Sequence, residues 1–139
     1  MDWSDDASVI EYLVGYGRML AGGERKFDEA AMRELVSRDI KRARNIASAQ
    51  NHALVAEGES PSASLASIAA PTLVLHGTAD PMFPLEHGEA LAEQIPGAKL
   101  LTLEAAGHGI DRADWGTIVR AVLEHTTASR STPQAAKSV

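Results

Sequence analysis

Cysteine is absent from the 139 residues. Disulfides and thiolate metal ligands are therefore excluded, and a reducing compartment is permitted. Aromatic side chains are scarce, at 4% of the chain against 45% hydrophobic residues in all, so any core is built from Ala, Leu, Ile and Val. Positive charge is outnumbered: 13 Lys and Arg face 19 Asp and Glu, for a formal net charge of −6. That balance is the opposite of a nucleic-acid footprint. No apolar run reaches the roughly 18 residues of a membrane span. The opening Met1-Asp-Trp-Ser-Asp-Asp6 is acidic and unlike a signal peptide. The expectation is a soluble, cytoplasmic chain of one domain's length, with neither nucleic acid nor membrane as partner.

What is present divides into two styles of patterning. Ser4, Asp5 or Asp6 can cap a helix to about Leu20, with Val9, Ile10, Leu13 and Val14 at helical spacing. Ala21-Gly22-Gly23 ends it. Asp28 is placed to cap a second helix, with Phe27 and Met32 at the positions of a hydrophobic staple. Met32, Leu35, Val36, Ile40 and Ala43 mark its apolar face, and Arg33, Glu34, Arg38, Lys41 and Arg42 its charged one. The acids of this segment nearly balance its bases, so that face reads as solvated rather than as an anion site. Ile46 to Ala56 continues helically or restarts after a kink, and His52 within it is an ordinary histidine or a pocket residue. The polar run Glu57–Ser64 then separates this helical part from an alternating one.

The alternating part predicts a strand at 72–76, a helix at about 85–95, a strand at 99–103 and a helix at about 111–125. Thr72–Leu75, bounded by Pro71 and Gly77, reads as a strand buried on both faces, as in parallel sheets. Two βα units in succession predict parallel pairing through a right-handed crossover. Asp80 follows the first strand and His108, within Gly107-His-Gly109, follows the second. Open α/β sheets place ligands at such strand ends. The residues from Thr126 to Val139 are expected to fray. A metal site on His76, Asp80 and His108 has no His-x-x-x-His or Glu-x-x-His spacing to support it.

The run Pro71-Thr-Leu-Val-Leu-His-Gly-Thr-Ala-Asp80-Pro-Met-Phe-Pro84, then a helix, an apolar strand and Gly-His-Gly, resembles the C-terminal third of an α/β-hydrolase. The fold class expected is α/β: a partial α/β-hydrolase fold, a helical cap followed by two βα units with parallel strands. The resemblance implies a cap-like region at 1–60 and the C-terminal part of the core at 61–125, while the composition of 126–139 predicts a disordered tail. It places the triad acid at Asp80 and the triad histidine at His108, and gives His76 a packing role. His87 and His125 read as solvated. Asp39–His52 resembles the caps of small ester hydrolases. Epoxide hydrolases and dehalogenases share the same C-terminal pattern.

The nucleophile of that family sits earlier, on a Gly-x-Ser-x-Gly turn, and its oxyanion hole is built beside it. Residues 1–139 contain no such motif. The expectation is a hydrolase-like chain that carries the acid and base of a triad for carboxylic ester hydrolysis, needs no cofactor or metal, and is inactive alone. A two-strand sheet leaves open edges. The partners expected are a second copy or a complementary hydrolase half, with a small-molecule ester as substrate once completed. The alternative is a non-catalytic interaction module that pairs through the open edge.

Overall fold

The computed structural model describes residues 2–55, 58 and 64–131. The chain opens with two helices, α1 (Asp6–Leu20) and α2 (Glu29–Arg42). Asp5 caps α1 by accepting from the Ala7 and Ser8 amides, and Asp28 caps α2 by accepting from Ala31. These carboxylates satisfy amide groups that the first helical turn leaves unpaired. The inter-helix pairs run in opposite order, Glu11 with Arg33 and Arg18 with Glu29, so the helices are antiparallel. Val9 and Val14 of α1 and Val36 of α2 are buried. Gly17 lets the Met32 side chain lie across α1, since a Cβ there would come within 2.9 Å of Met32 Cε. Gly22 and Gly23, with φ of +79° and +82°, reverse the chain between the helices.

Ile46–Leu54 is a 3₁₀ helix rather than the continued α-helix that the sequence admits. The extended backbone at Ala43 stops α2, and the Asn45 side chain caps the new turn at the Ala47 amide. After the short 3₁₀ turn Leu65–Ser67 come β1 (Leu73–Gly77), α3 (Leu85–Gln94) and β2 (Lys99–Leu103). The strands are parallel, in the register Leu73↔Lys99 through Gly77↔Leu103, with α3 as the crossover. Ile95, Leu103 and Ala106, in and around the βα part, are buried as well.

Two expectations need correction. β1 is not buried on both faces: Thr72 to Leu75 are each only half-buried, because among the described residues the sheet has two strands and α3 is the helix packed on them. The last helix also runs further than expected. A capped 3₁₀ turn, Arg112–Asp114, leads into α4 (Trp115–Ser131). The Thr126 and Thr127 hydroxyls bond back to the Val122 and Leu123 carbonyls, which helical geometry accommodates. Residues 132–139 lie outside the described residues. No described helix is long and apolar enough to cross a membrane.

Candidate active site

The two strand ends are joined before they present any side chain. Beyond β1, the Thr78 amide donates to the Leu103 carbonyl at 3.0 Å and the Ala79 amide to the Ala106 carbonyl at 2.9 Å. In return the Ala105 amide donates to Thr78 Oγ1 at 2.8 Å. The loops approach so closely at Gly77 that a Cβ there would overlap the Ala106 and Gly107 carbonyls. Ala105, at φ +55°, turns the chain out of β2 toward His108.

Asp80 and His108 meet above this joint. Asp80 Oδ2 lies 2.7 Å from His108 Nδ1. A carboxylate only accepts, so Nδ1 carries the hydrogen and the neutral ring keeps its lone pair on Nε2. Asp80 Oδ1 is held separately, by the Met82 amide at 2.8 Å and the Phe83 amide at 3.0 Å. The Asp80 side chain is 6% exposed and that of His108 36%. Burial works to raise the Asp80 pKa. The hydrogen bonds from His108, Phe83 and Met82 outweigh it and hold the carboxyl below the ordinary carboxylate range. The pair opens onto a cavity of about 560 Å³, whose apolar wall includes Leu65, Leu75, Phe83, Leu91 and Ile110. The Phe83 ring lies against both His108 and His87, at centroid distances of 5.6 and 5.5 Å.

The other histidines separate by environment. His76 is fixed at the end of β1, with Nε2 2.9 Å from the Phe83 carbonyl and 3.9 Å from Asp80 Oδ2. His87 is exposed, as expected, while His125 is half-buried rather than solvated. The His52 side chain lies outside the described residues. No described group of three or more His, Asp or Glu side chains is placed to hold a metal ion. On α2, Arg33 is committed within the chain: it forks to Glu11 at 2.5 and 2.8 Å and reaches Glu29 at 3.0 Å.

The N-terminal helices contribute contacts that the sequence did not announce. The Leu20 carbonyl, at the end of α1, accepts from the His108 amide at 2.8 Å. Gly107 has no room for a Cβ against Leu20 and Ala21, whereas Gly109 stands in open space, so only the first glycine of Gly-His-Gly is needed for close approach. Gly22 packs its Cα against the Ala79 carbonyl. Arg25 binds Asp114 at 2.6 Å and also donates to the Glu104 carbonyl. The double glycine at 22–23 was the one available signal, and it reads equally well as a plain helix stop.

The profile of the TAP-like protein family, a family of α/β-hydrolases, matches residues 43–129. The chain belongs to the α/β-hydrolase family. Among curated relatives of this chain, rhodomycin D methylesterase DauP of Streptomyces sp. (strain C5) is 29% identical over 128 residues. Rhodomycin D methylesterase DnrP of Streptomyces peucetius is 27% identical over the same length. Each match covers 89% of this chain and 42% of the relative, so the chain spans under half the length of either. The esterase EaEST of Exiguobacterium antarcticum shares its fold, with a TM-score of 0.64 at 21% identity over 91% of this chain and 49% of that one.

Proposed function

We propose that this chain supplies the acid and the base of a Ser-His-Asp triad for carboxylic ester hydrolysis, with Asp80 as acid and His108 as base. The 2.7 Å contact between Asp80 Oδ2 and His108 Nδ1, at the carboxyl ends of two parallel strands and on the wall of an apolar cavity, carries the reading. The esterase names of the relatives support the substrate class.

The roles follow from the tautomer. His108 Nε2 takes the proton from a hydroxyl nucleophile as its oxygen bonds the ester carbonyl carbon. It then returns the proton to the alcohol as the C–O bond breaks. Water attacks the acyl intermediate by the same path and releases the acid. Asp80 holds the Nδ1–H form and stabilises the imidazolium in both steps. The nucleophile and oxyanion donors come from polypeptide other than residues 1–139, because no Gly-x-Ser-x-Gly turn lies among these residues. Residues 1–60 act as the cap, and their joint with the histidine loop through Leu20 fits that role.

A second reading has its own observation. Trp115, Val119, Val122 and Leu123 form an exposed apolar stripe on one face of α4. An interaction module that pairs through this stripe and the sheet edge would use it without chemistry. One experiment separates the two. The chain alone is treated with a fluorophosphonate probe and a p-nitrophenyl ester, then mixed with the nucleophile-bearing half of a related esterase. The expected result is no labelling and no turnover alone, and turnover in the mixture that the His108→Ala variant cannot support. Serine labelling of the chain alone, or equal turnover with His108→Ala, would refute the triad reading.

A further inference from the structure

We infer that His76 is a positioning residue for the Asp80–His108 pair: it holds the Phe83 carbonyl, and through it the turn that aims the Asp80 carboxylate. This rests on the triad reading above. The hydrogen-bond chemistry is unambiguous. A carbonyl oxygen only accepts, so the 2.9 Å contact puts a hydrogen on His76 Nε2, which donates it to Phe83 O. The same nitrogen stands 3.9 Å from Asp80 Oδ2, beyond hydrogen-bond distance. His76 therefore acts on the acid through Phe83.

Phe83 is the shared element. Its amide donates to Asp80 Oδ1 at 3.0 Å, its carbonyl is held by His76, and its ring packs against His108 at 5.6 Å. The turn from Asp80 to Phe83 is thus closed by the carboxylate at one end and by the His76 imidazole at the other. The imidazole itself stands on a fixed base. His76 is paired in register with Thr102 of β2, and its side chain is only 10% exposed. Helix α3 leaves a slot for it. A Cβ at Gly88 would sit 2.8 Å from His76 Nδ1 and 3.0 Å from its Cβ and Cγ. Glycine in a helix interior is disfavoured, and at this position the ring occupies the space that a side chain would take. An apolar residue at 76 would fill the same slot. It would also leave the Phe83 carbonyl without its donor.

The readout is the tautomer of His108, which Asp80 sets only while Oδ2 stays aimed at Nδ1. Long-range ¹H–¹⁵N correlation spectra of the full, ¹⁵N-labelled chain at about pH 8.5, above the ordinary histidine range, resolve which ring nitrogen bears hydrogen. Wild type is expected in the Nδ1–H form, and Asp80→Ala is expected to lose it. His76→Phe fills the slot without a donor. Its ratio of Nδ1–H to Nε2–H at His108 is expected to fall about tenfold, the scale of one lost hydrogen bond. His76→Gln keeps an N–H donor near the same place and is expected to restore the wild-type ratio. Gly88→Ala crowds the imidazole from α3 with His76 unchanged, and is expected to shift the ratio in the same direction as His76→Phe. That variant keeps the question answerable where His76→Phe does not fold. An unchanged ratio in every folded variant of these two overturns the inference about His76. It leaves the triad reading standing so long as Asp80→Ala loses the Nδ1–H form. Absence of that form in wild type overturns both.

Discussion

Asp80 has every polar contact of its carboxylate assigned: Oδ2 to His108, Oδ1 to the Met82 and Phe83 amides. Truncation to Ala would leave two backbone N–H groups without their acceptor. The expected cost is roughly 1–3 kcal/mol, read from urea unfolding of Asp80→Ala against wild type. The pH dependence has a definite sign. The folded-state pKa of Asp80 lies below its unfolded value, which is about 3.9. Its contribution to stability is therefore complete above about pH 4 and is lost as pH falls through the lower folded value. Asp80→Asn removes that titration. Urea midpoints measured from about pH 6 downward should accordingly fall less steeply for the variant than for wild type below about pH 4. Equal slopes would mean that the carboxylate has no preferential partner in the folded chain.

At the scale of elements, glycines that look alike in sequence do different things. Gly15 lies in the exposed interior of α1 with nothing within 4 Å of where a Cβ would stand, and Gly88 faces the His76 ring from α3. Gly15→Ala is expected to raise stability by about 0.5–1 kcal/mol, because Ala is the better helix former and nothing opposes it. Gly88→Ala gains the same propensity and loses more to the clash, so a fall in Tm is expected. A second joint ties elements distant in sequence. Arg25, between α1 and α2, holds Asp114, whose side chain is only 10% exposed, and also the Glu104 carbonyl at the end of β2. The Arg25 pKa is raised, first by its hydrogen bond to Asp114. Arg25→Met leaves a largely buried carboxylate unpaired and loosens the seat of α1 on the histidine loop. Hydrogen exchange of the His108 amide, now bonded to the Leu20 carbonyl at 2.8 Å, should accelerate by about tenfold or more if that seat opens more readily. Unchanged exchange at that amide would show that the joint does not support the loop.

Across the whole molecule, what stands out is how little is covered. Val9 is the one fully buried large side chain among the described residues, while Trp115 is 52%, Val119 55% and Leu123 60% exposed on α4. Both strands have a partner on only one side among those residues. Exposed apolar faces and open sheet edges are where chains associate. We expect the chain to associate with itself or with a complementary hydrolase half through these features. Size-exclusion chromatography with light scattering should give a mass above the 14.7 kDa monomer, and Val119→Glu should return it toward the monomer. A monomeric wild type that also fails to bind an esterase half would count against that expectation.

The order of elements, the Asp28 cap, the parallel strands and the placing of Asp80 and His108 after the two strands were legible because each depends on local chemistry, whereas the cap of α1 was narrowed only to Ser4, Asp5 or Asp6. A carboxylate before a helix, a β-rich run between Pro71 and Gly77, and a glycine-flanked histidine after a strand carry their meaning within a few residues. Their contact could be expected only through the family resemblance, since 28 positions separate the two side chains. What tertiary structure alone decided lies in the joints. The Leu20 carbonyl on the His108 amide, Arg25 on Asp114, and the His76 imidazole between Phe83 and Gly88 join groups whose residue types are unremarkable in sequence. Hydrogen bonds and close approaches depend on distance in space. Periodicity reports which face of an element is apolar, and does not say which backbone carbonyl it will meet.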